Sequence, residues 1–274
     1  MRPAPMLLLG CLFGGPTLGC FPREADPEAQ KRGQAEYELA LDAFKRSSMR
    51  EALAHTKTAL QFDDQNADAA YLGALVMLVF CADDAASPDC RYSEAEQYAR
   101  RALELDPQMR DARNTLGVVL IHEGQAKAAV EVLEPLAQDM LYRSPEKAWG
   151  NLGWAYLEAG RLPEAVTALQ RSVAAQPLFC VGHFRLGRAL EKQKELIAAR
   201  QAYGRAVSIE EGSCQRLQEA YLGRGRVALA LGEGVPARSD LTRCQELAPT
   251  SAAGRECGAV LRSLGVAPTA PPAP

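Results

Sequence analysis

The sequence contains little of what a catalytic or metal-binding site requires. It has only three histidines, no CxxC spacing and no glycine-rich loop placed between a strand and a helix to hold a phosphate. Its acidic pairs fall where helix ends and loops are expected, and no serine lies in a pattern with a histidine and an aspartate. We therefore expect a protein that is not an enzyme and that has no cofactor, no metal and no small-molecule substrate.

The sequence also lacks a surplus of positive charge. It has 31 basic and 34 acidic residues, a net charge of -3, and its Arg and Lys residues alternate with Glu and Asp along the expected helices. A protein that binds nucleic acid needs a basic stripe to displace counterions. The pair Arg100-Arg101 is a local exception that fits a solvated helix face, so we expect no nucleic-acid partner.

No apolar run is long enough to span a bilayer. A short apolar run at residues 6–13 follows a basic Arg2 and precedes Thr17-Leu18-Gly19-Cys20, which is the order of a secretory signal. The cysteine after Leu-Gly resembles a bacterial lipoprotein signal, although Thr17 stands where Leu is usual. The resemblance implies cleavage after residue 19 and lipidation of Cys20. A plain secretory signal with an unmodified thiol, and cleavage before Cys11, are the alternatives.

The two ends of the chain differ in composition from its middle. Residues 20–32 are polar, contain two prolines and are expected to form a lipidated tether. Phe21 stands where Asp would retain similar lipoproteins in the inner membrane, so the resemblance implies the outer membrane, with the following domain in the periplasm. Residues 266–274 are rich in Pro and Ala and are expected to form a disordered tail.

Between these ends, one residue pattern recurs. Its clearest copy has two aromatic residues and a Leu-Gly pair in the first helix, a small and a large apolar residue in the second, and a closing proline. These residues are Trp149, Leu152, Gly153, Tyr156, Ala165, Leu169 and Pro177. This pattern is the signature of the tetratricopeptide repeat (TPR), a 34-residue unit of two antiparallel helices. Because one unit cannot bury its own apolar faces, we predict an all-α, right-handed superhelix. The expected repeats are residues 33–65, 66–109, 110–145, 146–179, 180–217 and 218–251, followed by a capping helix at 252–265.

Six cysteines remain once Cys11 and Cys20 are set aside. An even number in an exported chain indicates disulfides rather than a metal site. Their positions favour three pairs, the first of which closes the base of an inserted loop. A pairing of Cys214 with Cys244 remains open. The expected pairs are Cys81 with Cys90, Cys180 with Cys214, and Cys244 with Cys257.

Apolar and aromatic residues also occupy first-helix positions that line the concave face of TPR domains. Ordinary solvated helices would not expose such a row, which favours binding of an extended peptide or an amphipathic helix. The alternative is that some of them pack between repeats. The candidate groove residues are Tyr37, Leu41, Phe44, Asn114, Val118, Ile121, Trp154, Leu157, Phe184 and Arg188.

Six TPRs behind a lipoprotein signal, with Cys180 and Cys214 one repeat apart, resemble the pilotin lipoproteins of type IV pili. The resemblance covers nearly all of the chain after the signal. It implies a protein that binds secretin subunits at the outer membrane and promotes their assembly into the ring through which the pilus passes. The alternative is a general periplasmic adaptor that docks peptidoglycan enzymes or other envelope proteins.

Overall fold

Small and apolar residues at helical spacing form thirteen α-helices and one short 3-10 turn in the residues that the structure describes. The structure is a computed structural model, and it describes residues 26–83, 87–211 and 214–265. The first helices of six pairs are α1 (Pro27–Lys45), α3 (Ala67–Asp83), α5 (Arg110–His122), α7 (Pro145–Glu158), α9 (Cys180–Lys192) and α11 (Gln218–Ala230). The second helices are α2 (Met49–Phe62), α4 (Tyr92–Leu105), α6 (Ala126–Gln138), α8 (Leu162–Ala175), α10 (Leu196–Ser208) and α12 (Gly234–Leu247), and α13 (Ala252–Ser263) follows them.

The helix pairs form the TPR solenoid that the sequence predicts. Each helix packs mainly against its neighbours in sequence, and the described residues contain no β-strand. Each expected repeat corresponds to one helix pair, including the weakly matching first and last repeats, although α1 begins at Pro27, ahead of the expected residue 33. The expected fold class is confirmed.

Close packing within a pair depends on glycine in the first helix. A Cβ added to Gly153 would lie 2.5 Å from Cγ of Leu169, so the Leu-Gly pair of the signature lets the second helix approach the first. Turns within the repeats use glycine for another reason. Gly124, Gly160 and Gly232 have φ values of 75°, 75° and 77°, which are unfavourable for other residues.

Short connections make successive helices antiparallel, so the solenoid has two edges. The edge where first helices begin, called here the start rim, contains Asp26 and the connections 63–66, 106–109, 139–144, 176–179 and 248–251. The opposite edge, called here the turn rim, contains the turns within repeats, at 46–48, 123–125, 159–161, 193–195 and 231–233.

The first helices line the inner side of the curve. Each first helix touches the first helix of the next repeat, whereas successive second helices make at most isolated contacts. Elements on the inside of a curved stack lie closer together than those on the outside. The first helices therefore form the concave face, and the second helices form the convex face.

Two expected boundaries are wrong. The tether expected at 20–32 is too long, because α1 already begins at Pro27, with proline at the first helical position and Asp26 accepting a hydrogen bond from the Glu28 N–H at 3.0 Å. The loop expected between Cys81 and Cys90 is too long as well, because α3 continues to Asp83. Residues 1–19, Cys20 and residues 266–274 lie outside the described residues.

All three expected disulfides are present. Cα–Cα distances are 4.4 Å for Cys81–Cys90, 5.7 Å for Cys180–Cys214 and 6.2 Å for Cys244–Cys257. The pairing of Cys214 with Cys244, which the sequence left open, does not occur. No helix in the described part of the chain combines the length and the apolar character needed to cross a bilayer.

Candidate partner-binding groove

A line of polar contacts crosses the concave face from one first helix to the next. The Nδ2 of Asn151 donates to the Oδ1 of Asn114 at 2.9 Å, and Arg185 Nη1 donates to the Oδ1 of Asn151 at 2.7 Å. These three side chains belong to α5, α7 and α9. The contacts join three consecutive repeats and fix the orientation of each side chain along the groove.

Arg185 is the unusual member of this line. Its guanidinium lies 4.4 Å from the ring centroid of Trp154, and no carboxylate of the described residues lies within 4 Å of it. The nearby Glu158 instead accepts hydrogen bonds at its Oε1 from Trp154 Nε1 at 3.1 Å and from Arg188 Nη2 at 3.2 Å. Arg185 thus retains N–H donors that a bound partner can use.

Burial makes this unpaired charge costly in the free protein. Desolvation, and secondarily repulsion from Arg188, lowers the pKa of Arg185 to about 9. The guanidinium is still protonated at neutral pH. An incoming carboxylate or backbone carbonyl would therefore meet a cation that is already partly desolvated and held in place.

Aromatic rings extend the line toward the turn rim. The His122 ring stacks on Tyr92 with a centroid distance of 4.7 Å and meets the edge of Trp154 at 5.0 Å. Burial, and then the charge of Arg185, lowers the pKa of His122. The imidazole is consequently neutral at pH 7, and this part of the groove presents a largely uncharged aromatic surface.

The structure places the ten expected groove residues in three environments. Ile121 and Leu157 are 5% and 1% exposed and belong to the core, so the expectation that these two side chains line an open groove is wrong. Both occupy the twelfth position of their repeats, which the packing against neighbouring helices covers. The other eight are partly exposed: Tyr37, Leu41, Phe44, Asn114, Val118, Trp154, Phe184 and Arg188.

The eight partly exposed residues divide between two places. Tyr37, Leu41 and Phe44 pack around the small core of the first two repeats. The others lie on α5, α7 and α9, where Trp154 and Phe184 rest on the main core. The groove that joins them is therefore centred on repeats three to five.

Sequence reasoning missed two residues of the polar line. Asn151 and Arg185 hold the same position in consecutive repeats, 34 residues apart. This separation, equal to the length of one repeat, was a signal in the sequence. Pairing between them, however, depends on how closely α7 and α9 approach, which a single sequence does not reveal.

The convex face offers a different kind of cavity. A pocket of about 270 Å³ between α6, α7 and α8 is lined by Glu134, Trp149, Thr167 and Arg171, among others. The Arg171 guanidinium lies 4.6 Å from the ring centroid of Trp149. The groove contains an arginine–tryptophan contact between Arg185 and Trp154. Arg171 and Trp149 form a second contact of this kind on the opposite face of α7.

Comparisons with known proteins agree with this architecture. One tetratricopeptide repeat family model matches residues 91–140, and another matches residues 134–178 and 151–213. The type IV pilus assembly protein PilF of Pseudomonas aeruginosa is 25% identical over 199 residues, covering 72% of this chain and 73% of PilF. Residues 91–213 of the chain thus match tetratricopeptide repeats, and its sequence is similar to that of PilF.

Solved structures show how widely the fold is shared. The PilF structure from Pseudomonas aeruginosa has a TM-score of 0.64 and 21% identity, covering 85% of this chain and 99% of PilF. PilW, described as a widely conserved type IV pilus biogenesis factor, has a TM-score of 0.67 and 22% identity, covering 82% of this chain and 97% of PilW. The Cut9–Hcn1 complex reaches a TM-score of 0.67 at 14% identity, covering 83% of this chain and 42% of the matched chain. At these identities the structural likeness establishes the TPR fold alone.

Proposed function

We propose that the protein is a non-catalytic type IV pilus assembly factor that uses its concave face to bind a secretin subunit. The observation that carries the assembly role is the sequence relation to PilF over 73% of that protein. The finer assignment, to a pilotin close to the one called Tgl, rests on the resemblance described from the sequence. In this proposal the protein promotes assembly of secretin subunits into the ring through which the pilus passes.

The groove supplies the chemistry for capturing an unassembled subunit. Trp154 and Phe184 offer apolar area, and Arg185 offers hydrogen-bond donors that no carboxylate of the described residues occupies. Aromatic and arginine side chains dominate the energetics of protein interfaces. An extended segment or an amphipathic helix of the partner would place apolar side chains on the rings and a carbonyl or carboxylate on Arg185.

The proposed anchor places this groove at the membrane where rings form. We propose that Cys20 is lipidated, that the anchor lies in the outer membrane and that the TPR domain faces the periplasm. Confinement near the bilayer raises the effective concentration of captured subunits and favours ring formation over aggregation. Membrane fractionation of a Cys20→Ser variant tests this part, since release from the membrane is expected and unchanged fractionation would contradict the anchor.

A pair of tryptophan substitutions tests the groove. Trp154→Ala removes the ring beneath Arg185, while Trp149→Ala removes the ring beneath Arg171 on the opposite face of α7. We expect Trp154→Ala to reduce copurification of the secretin and the yield of secretin multimers by about tenfold or more, the scale of an aromatic hot spot. Trp149→Ala should leave both near the parental level.

Circular dichroism of both variants checks that the helices still form. Equal secretin copurification with the two variants would contradict the groove assignment. If the protein instead copurifies with peptidoglycan enzymes and the secretin is absent, the general adaptor role replaces the pilus role.

A further inference from the structure

Two neighbouring apolar side chains project from the start rim between α6 and α7. Met140 is 98% exposed and Leu141 is 74% exposed. Nowhere else in the described ranges are two consecutive large apolar side chains exposed. We call this pair the apolar tip.

The tip is held outward by its flanking residues. Asp139 accepts a hydrogen bond from the Leu141 N–H at 2.8 Å and another from Arg110 Nε at 2.7 Å. On the other side Tyr142 is buried, and its hydroxyl donates to Asp111 at 3.1 Å. The protein therefore fixes the loop on both sides while leaving Met140 and Leu141 without protein contacts to bury them.

The position of the tip relates it to the N-terminus of the solenoid. Because α1 begins at Pro27, the chain enters the solenoid on the same start rim. Only five residues separate Cys20 from Asp26. Even fully extended, this segment spans about 20 Å, so a lipid on Cys20 would keep the start of α1 near the bilayer. This step rests on the lipid anchor of the proposed function.

We propose that the apolar tip inserts into the bilayer that holds the N-terminal lipid, so that the start rim faces the membrane. Met140 and Leu141 protrude rather than line a cavity, which suits entry into a soft apolar phase. The exposed Arg143 and Lys147 follow the tip and can reach headgroup phosphates, while Asp139 is neutralised by Arg110. The turn rim, with His122 at the end of α5, then faces away from the membrane.

A pair of matched labels tests the orientation in the full lipidated protein. Leu141→Cys places an environment-sensitive fluorophore on the tip, and Val235→Cys places it at a site that is 81% exposed at the start of α12, next to the turn rim. Each protein is reconstituted into vesicles of phosphatidylethanolamine and phosphatidylglycerol that contain nitroxide-labelled lipid. We expect a blue shift and loss of emission for the label at position 141 and neither change for the label at position 235.

Each of the other outcomes overturns the inference and identifies the step that is wrong. If the protein floats with the vesicles but the label at position 141 stays unquenched, or both labels are quenched alike, the tip assignment fails while the anchor stands. If the protein does not float with the vesicles, the proposed lipid anchor is wrong, and so is the membrane orientation that depends on it. If the label at position 141 is shielded only after a purified secretin subunit is added, the tip binds protein rather than lipid.

Discussion

At the scale of single residues, the packing between repeats five and six depends on one tyrosine. Tyr203 is fully buried, and its ring lies between Gly187 of α9 and Gly223 of α11. Its hydroxyl donates to Glu191 at 2.6 Å, and Glu191 also accepts a hydrogen bond from Arg226 at 3.1 Å. The two glycines leave room for the ring, and the hydroxyl reaches charged residues beyond it.

We predict that Gly187→Ala destabilises the protein. The new Cβ would lie 2.6 Å from Cδ1 of Tyr203, and a fully buried ring has little room to move. Overpacking of this kind costs about 1–3 kcal/mol of unfolding free energy, which urea denaturation measures. Gly204→Ala in α10 is the control, because its Cβ would have no neighbour closer than 3.7 Å, and replacing a helical glycine should stabilise by about 0.5–1 kcal/mol. Equal effects of the two substitutions would contradict the packing described for Tyr203.

His122 makes stability depend on pH. Its folded-state pKa is lowered by burial and by Arg185, so below pH 6.5 the unfolded chain binds the proton more readily than the folded protein. The contribution of neutral His122 to the free energy of unfolding is therefore present at neutral pH and is lost as the pH falls through 6.5. His183, whose pKa burial also lowers, acts in the same direction. We predict that urea denaturation shows lower stability at pH 5 than at pH 8, and that His122→Phe, which keeps a ring on Tyr92, shows a smaller difference. An identical pH dependence in the variant would contradict this assignment.

At the scale of helices, the repeat signature specified most boundaries, and its failures have physical causes. Pro27 could be read as a tether residue or as the first residue of a helix, and the Asp26 cap that decides between them depends on backbone geometry. Ile121 and Leu157 were expected in the groove because the twelfth position of the first helix lines the concave face of TPR domains. The close approach of neighbouring helices covers that position, whereas it brings Asn151 and Arg185 into contact.

The last helix depends on a disulfide. Cys244 of α12 and Cys257 of α13 are both fully buried, and they bridge the cap to the last repeat. We predict that Cys244→Ala/Cys257→Ala lowers the unfolding free energy by about 3 kcal/mol, because the bridge closes a loop across 13 positions. Hydrogen exchange should become faster in α13 first. The control Cys81→Ala/Cys90→Ala removes a bridge in repeat two and should leave α13 protected; faster exchange of α13 in both variants, or in neither, would contradict the capping role.

At the scale of the whole molecule, the curvature of the stack separates two faces and two rims. First helices on the inner side place Asn114, Trp154 and Arg185 along one surface, and this arrangement supports the proposed capture of a secretin segment. The start rim contains both the beginning of α1 and the apolar tip, which supports the proposed orientation on a membrane. A partner could then approach the groove from the side that faces away from the bilayer.

Site-specific photocrosslinking in cells that assemble pili tests the central claim most directly. A photoreactive amino acid replaces Val118, one helical turn after Asn114 on the concave face, or Thr167, which lies beside the convex pocket. We predict that the secretin subunit crosslinks to position 118 and not to position 167. Crosslinking of the secretin to position 167 alone, or to neither position, would contradict a role of the concave face in secretin assembly.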